Sequence, residues 1–159
     1  MSKSFFIQEE FLSNSECQFY LNKAHKNVGV GPKISWEKRI YKLQPNDFII
    51  NKVQSFFKDF NIFLKAVDAS ITTWNVGTWS NLHVHGKGNT AYDDMRHNTK
   101  YNSIIYLNNN FEGGEFYTDN ITIKPKKGTL TLFDGSKIFH GIKEIKKEER
   151  YIIIIWWER

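Results

Sequence analysis

Two textures of apolar and polar residues divide the chain. In its first third the apolar residues recur at helical spacing, and from Ala69 onward they come in short runs broken by Gly, Asn, Asp or Pro. In "SNSECQFYLNKAHK", Ser13 and Glu16 stand at capping-box spacing, and Phe19, Tyr20 and Ala24 supply an apolar stripe. The pattern predicts a helix serving as lid or buttress. Pro45, Asn46 and Asp47 supply a turn and a cap, after which "FIINKVQSFFKDFNIFL" predicts a second helix. "FFIQEEF" and "SWEKRIYKLQ" read as strands before and after the first helix.

The second texture consists of "ASITTWNV", "NLHVH", "YNSIIYLN", "GEFYT", "ITIKP", "TLTLF", "IFHGIKEI" and "RYIIIIWW", all rich in β-branched and aromatic residues. Tight turns are expected at "FEGGE", "TDN", "PKKG" and "FDGSK". The expectation is a mainly β (α+β) fold, an antiparallel sandwich or barrel such as a jelly roll, buttressed by two N-terminal helices. A single domain over 1–159 is the economical reading, with 1–68 as helical support and 69–159 as the β core. The longest expected loop is "GKGNTAYDDMRHNTK", and its length inside a compact domain marks it as functional or mobile.

Composition narrows the setting. Cys17 is the sole cysteine, which precludes a disulfide framework and fits a reducing compartment. The opening residues lack the apolar region of a signal peptide, and "YIIIIWW" is too short to span a bilayer. A soluble, intracellular, cytoplasmic chain with no membrane partner is expected. The formal charge of +5 is spread over several loops, so a nucleic-acid partner is not expected either. Acidic small molecules are favoured near such a surface.

Candidate chemistry begins at "NLHVHG". On a strand, residues two apart project from one face, so His83 and His85 can converge on one point while Val84 packs the other way. Two half-exposed histidines on an edge strand have the same spacing. His140, in "LFDGSKIFHGIKEI", can return from an opposite sheet as a third ligand, leaving positions open as an oxygen-activating iron requires. It also reads as a satisfied, partly buried histidine. Arg150 opens the most apolar strand, where a guanidinium is costly unless paired. Glu148 or Glu149 can pair with it at the surface. Turned inward, it suits the carboxylate of a ligand, and the phenol of Tyr106 can add a hydrogen bond.

Taken in order, "TTWNVGTWSNLHVHG", "YNSIIYLNNNFEGGEFYT", "ITIKPKKGTLTLFDG", "FHGIKEI" and "RYIIIIWW" resemble the iron(II)/2-oxoglutarate-dependent dioxygenases, in particular the prolyl-4-hydroxylase-like branch. The resemblance runs from about Thr72 to Trp157, and small relatives of this kind occur in phages and bacteria. It implies a double-stranded β-helix with Fe(II) between its sheets, 2-oxoglutarate as cosubstrate and ascorbate as a reductant. It places His83 and His140 as metal ligands, Tyr106 and Arg150 on the outer carboxylate of 2-oxoglutarate, and Trp156 on the wall of the cosubstrate pocket. Trp74, where the family often has a tyrosine, lines the pocket near its other end, with Gly77 matching a family glycine. Ile154 falls where some relatives carry a hydroxyl. The implied activity is hydroxylation of an unactivated carbon, with a prolyl residue of a peptide or protein suggested as substrate; a small molecule is the other substrate class.

Position 85 departs from the family pattern, which has an acidic residue there. Three accounts are open. His85 can take the carboxylate's place, giving a site of His83, His85 and His140 and a more positive metal centre. Asp93 or Asp94 can fold back from the long loop. Or the fold is a non-catalytic or altered-metal binding module. His97, Arg96 and Lys100 read as residues of a solvated loop with a minor option of contacting substrate.

Overall fold

The computed structural model describes residues 5–26, 38–85 and 99–158. In chain order these form β1 (Phe5–Gln8), α1 (Asn14–Lys26), β2 (Lys38–Lys42), α2 (Phe48–Lys58), β3 (Lys65–Trp74), β4 (Ser80–His83) and β5 (Tyr101–Tyr106). They continue with β6 (Glu112–Gly113), β7 (Phe116–Thr118), β8 (Thr122–Ile123), β9 (Leu130–Asp134), β10 (His140–Ile142), β11 (Ile145–Lys147) and β12 (Arg150–Glu158).

The strands form a six-stranded sheet in the order β1-β9-β5-β12-β3-β2, a four-stranded sheet β4-β10-β7-β8, and the small ribbon β11-β6. Every pairing among the described residues is antiparallel. This is the expected jelly roll with two N-terminal helices. The segment expected to be helical support also contributes β1 and β2 to the main sheet, and β3 begins at Lys65, ahead of Ala69.

Both faces of the main sheet are covered, which explains the unbroken apolar run of β12. Ile153, Ile155 and Trp157 enter the same apolar cluster as Cys17, Tyr20, Leu21 and Ala24 of α1 and Ile49, Ile50, Val53 and Phe57 of α2. Ile152 and Ile154 belong to a second cluster, with Trp74, Ile104, Tyr106, Phe116, Phe133 and Ile142, between the two sheets. Each fully buried isoleucine contributes about 1.5–3 kcal/mol of transfer free energy. The strand period of two therefore gives β12 one face for structure and one for a site.

The helices form as local signals dictate, with two corrections. Ser13 Oγ accepts from Glu16 N at 3.2 Å while Ser13 N donates to Glu16 Oε2 at 2.8 Å, the expected capping box. Phe19, however, is 54% exposed, and the buried stripe is Cys17, Tyr20, Leu21 and Ala24. That set follows the i, i+3, i+4, i+7 rule, whereas Phe19 lies beside it on the solvent side. Asp47 caps α2 by accepting from Ile49 N at 3.1 Å, but the helix ends at Lys58. "DFNIFL" leaves the helix through Asn61 at φ 57°, so Phe60 and Phe63 point to solvent. Tyr20 donates to Asp47 Oδ1 at 2.5 Å and Lys52 pairs with Glu16 at 3.0 Å, tying the two helices together.

Candidate active site

Three histidines meet at one end of the space between the sheets. His83 closes β4 and His140 opens β10, and the two are direct Cα partners across that antiparallel pair. Their ring centroids are 4.5 Å apart, with His85 at 5.2 Å from His83 and 4.6 Å from His140. One potential ligand atom from each histidine lies within 4.8 Å of the others, close enough to hold a single ion. His140 is buried, His85 nearly so, and His83 is exposed at the rim.

The convergence of His85 does not come from an intact strand. β4 ends at His83, and the backbone N–H of His85 instead donates to Gly135 O at 2.8 Å, steering the chain toward the loop after β9. Each of the three imidazoles has its Nδ1 against an oxygen at 2.8 Å: Asn81 O for His83, Asn102 Oδ1 for His85 and Ile138 O for His140. A backbone carbonyl can only accept, so Nδ1 carries the proton in His83 and His140, and Nε2 keeps its lone pair. Burial, then the neighbouring His85 and His83, push the His140 pKa down to about 3 against the opposing pull of its bond to Ile138. The rings of Phe116 and Phe133, at 5.7 and 4.6 Å, form its apolar surroundings. Its imidazole is therefore neutral near pH 7, as ligation requires.

Farther along the same face of β12 lies a cation. Arg150 is fully buried, and none of its three guanidinium nitrogens has a hydrogen-bond partner among the described residues. The adjacent acids do not serve it; Glu149 accepts from the hydroxyl of Tyr151. The guanidinium carbon sits 5.2 Å from the Tyr106 ring centre and 5.5 Å from that of Trp74. The Tyr106 hydroxyl is likewise buried and without a hydrogen-bond partner among the described residues. Burial pulls the pKa of Arg150 below its ordinary value and raises that of Tyr106, and the proximity of the two groups partly offsets each shift. Arg150, Ile152, Ile154 and Trp156 alternate onto the intersheet face of β12, and Asn102, Ile104 and Tyr106 do so on β5. The ladder pairs Trp156 with Asn102, Ile154 with Ile104 and Ile152 with Tyr106.

The face thus has a histidine end and an arginine end. Trp156, half-buried, lies at the first, its ring 4.6 Å from that of His85; Trp74 lies at the second, as the Cα partner of Arg150. Gly77 has φ +86° and donates to Ile145 O at 2.7 Å, a backbone role suited to glycine. Asp93, Asp94, Arg96 and His97 lie outside the described residues. Lys100 N donates to Trp157 O at 2.9 Å. Sequence reasoning missed Asn102, Gly114 and Gly135. For Asn102 a signal existed, because Asn102, Ile104 and Tyr106 share one face of a strand, and a polar residue in step with Tyr106 had to point inward.

The family model for the 2OG-Fe(II) oxygenase superfamily matches residues 72–158, which takes in β4 to β12 and every residue of both ends. The chain belongs to that superfamily. It carries the oxygenase domain of that superfamily, and prolyl hydroxylases are among its relatives and structural neighbours. Curated relatives include human prolyl 3-hydroxylase 2, 35% identical over 65 residues, and prolyl 3-hydroxylase 1 of Gallus gallus, 37% identical over 65 residues. Each match takes in 36% of this chain and 9% of the relative, so the shared part is a small fraction of those proteins. Among solved structures, the viral collagen prolyl hydroxylase of Paramecium Bursaria Chlorella virus-1, in its 2OG complex, superposes with a TM-score of 0.76 at 24% identity, covering 98% of this chain and 96% of that one. A Pseudomonas putida prolyl-4-hydroxylase gives 0.73 at 13% identity, covering 99% and 94%. At these identities the superpositions show the shared fold.

Proposed function

We propose that the chain is a 2-oxoglutarate-dependent dioxygenase in which His83, His85 and His140 hold Fe(II) through one ring nitrogen each, and Arg150 and Tyr106 hold the outer carboxylate of 2-oxoglutarate. The observation that carries this reading is the buried Arg150 guanidinium with no hydrogen-bond partner among the described residues. An uncompensated buried charge costs several kcal/mol, and removing its counterion is the expensive half of a buried pair. A carboxylate arriving between the sheets supplies the missing acceptor, and the Tyr106 hydroxyl supplies a donor beside it. When bound, iron and 2-oxoglutarate together supply dioxygen activation, with the cosubstrate oxidised to succinate and carbon dioxide and one oxygen atom transferred to a carbon of the substrate.

The chain's own residues supply aim and shelter. Arg150 and Tyr106 fix one end of the cosubstrate, so its keto acid end is presented to the histidines. Phe116, Phe133 and Ile154 keep water from the space between. Exposed His83, with Phe139 half exposed beside His140, marks the side from which substrate approaches. The substrate in this reading is a prolyl residue of a peptide or protein. It is supported by the prolyl hydroxylase names of the relatives, among them a Trichoplax adhaerens prolyl hydroxylase in complex with a hypoxia inducible factor peptide fragment, at TM-score 0.70 and 17% identity, covering 99% of this chain and 84% of that one.

The test is anaerobic addition of Fe(II) and then 2-oxoglutarate, watching for the weak visible charge-transfer band of the chelate. The expected result is a band in the parent that Arg150→Ala forms only at much higher 2-oxoglutarate. No band, together with unchanged 2-oxoglutarate binding by Arg150→Ala, overturns the assignment. Proline-containing peptides are then incubated aerobically and weighed; gain of one oxygen atom on proline, matched by succinate, is expected, and its absence across such peptides removes the prolyl substrate.

A further inference from the structure

The imidazole at position 85 sits in a seat shaped for it. His85 Nδ1 lies 2.8 Å from Asn102 Oδ1, and both groups are buried. This is the only side-chain hydrogen bond of Asn102 among the described residues, and its Nδ2 has no partner among them. A Cβ at Gly135 would collide with Asn102 Oδ1 and come within 2.5 Å of His85 Nδ1. Gly135 does not have the left-handed backbone that favours glycine, so the residue there gives room. The carbonyl of the same residue accepts from His85 N at 2.8 Å. Trp156, Cα partner of Asn102, closes the other side with its ring 4.6 Å from the imidazole. An aspartate at position 85 would use little of this arrangement, because its shorter side chain leaves the amide, the glycine gap and the indole without the ring they surround.

Resting on the metal reading above, we infer that Asn102 is the positioning residue of His85: its Oδ1 holds the proton on Nδ1, which leaves Nε2 as the ligating nitrogen, and Gly135 provides the space for that contact. His83 and His140 obtain the same tautomer from backbone carbonyls. At position 85, where the bond comes from a side chain, the tautomer is set by the residue that β5 places opposite Trp156. Acceptors behind ligating histidines typically carry 10–100-fold in metal affinity by raising ligand basicity and fixing ring orientation. The imidazole is then a built replacement for a carboxylate, supported from a different strand.

The test uses the full chain. Nitrogen-15 spectra of the metal-free protein report which nitrogen of His85 carries the proton, and Co(II) titration followed by its visible bands reports affinity without turnover. The parent is expected to show protonated Nδ1. Asn102→Leu should mix the tautomers and weaken Co(II) about 10–100-fold, Gly135→Ala should weaken it similarly, and Asn102→Asp, which keeps an acceptor, should restore both tautomer and affinity. Protonated Nε2 in the parent, or Asn102→Leu binding Co(II) as the parent does, overturns the inference. Should Asn102→Leu fail to fold, the parent's tautomer and Gly135→Ala decide. His83→Ala and His140→Ala separate the two levels. If they keep parental Co(II) affinity the metal reading itself fails, whereas if they lose it and Asn102→Leu does not, only the role of Asn102 falls.

Discussion

The guanidinium carbon of Arg150 lies 5.2 Å from the centre of the Tyr106 ring, and both side chains end in buried polar atoms with no hydrogen-bond partner among the described residues. Such a pair has more to gain from a dicarboxylate than from the protein around it. Arg150→Ala should therefore weaken 2-oxoglutarate by at least about 100-fold, on the basis that losing a buried charge-assisted contact costs about 3 kcal/mol or more. Arg150→Lys should recover little of it, since an ammonium lacks the planar fork. Tyr106→Phe should cost less, about 1 kcal/mol or a few-fold, and should stabilise the ligand-free protein slightly by removing an unpaired hydroxyl. Calorimetric titration of 2-oxoglutarate into the Mn(II)-loaded protein checks the ranking. Arg150→Lys binding as tightly as the parent would falsify it.

Gly114 provides a second check, from the backbone side. It has φ +68°, and a Cβ there would stand 3.1 Å from Phe111 Cε2, 3.2 Å from Arg150 Cδ and 3.2 Å from Ile145 Cγ1. Gly114→Ala should cost about 1–3 kcal/mol from left-handed strain and crowding. Because one of the crowded atoms belongs to Arg150, the same change should also weaken 2-oxoglutarate several-fold, beyond its cost in stability. Urea unfolding and 2-oxoglutarate titration of Gly114→Ala read the two effects separately; parental cosubstrate affinity in a destabilised Gly114→Ala would remove the coupling.

Much of this site was legible in the order of residues, and particular residues show where legibility ends. The pairing of Ser13 with Glu16, the cap at Asp47 and the face shared by Arg150, Ile152 and Ile154 follow from local spacing. The convergence of His83 on His140 needed the resemblance, because nothing local says that β4 and β10 are neighbours. Phe19 went astray for a different reason: a helical stripe has two edges, and only the tertiary partner decides which is covered. The apolar rhythm overruns α2 because "DFNIFL" continues it, while the helix end is set by the left-handed backbone of Asn61. Asn102 and Gly135 were invisible as a pair, since one is a polar residue on a strand and the other a turn glycine. Their meaning appears only when His85 lies between them.

The environment of His140 gives a prediction for the metal-free protein. Its folded pKa is held at about 3 by burial and by the nearby histidines, against an ordinary value of 6.5 when unfolded. Above about pH 6.5 both states are neutral, and the group contributes nothing to the pH dependence. Between about 6.5 and 3 the unfolded chain takes up a proton that the native state refuses, so stability falls as pH falls, by about 1.4 kcal/mol per pH unit for one proton. Below about 3 both states are protonated and the slope from this group ends. Urea unfolding in the presence of a chelator, at several values from pH 7 to pH 5, should show the parent losing stability more steeply than His140→Gln, by close to one proton's worth of slope. All other titrating groups are common to the two proteins and cancel in the comparison to first order. Parallel stability profiles would mean that His140 takes up its proton in the native state, and that the site opens to water without its metal.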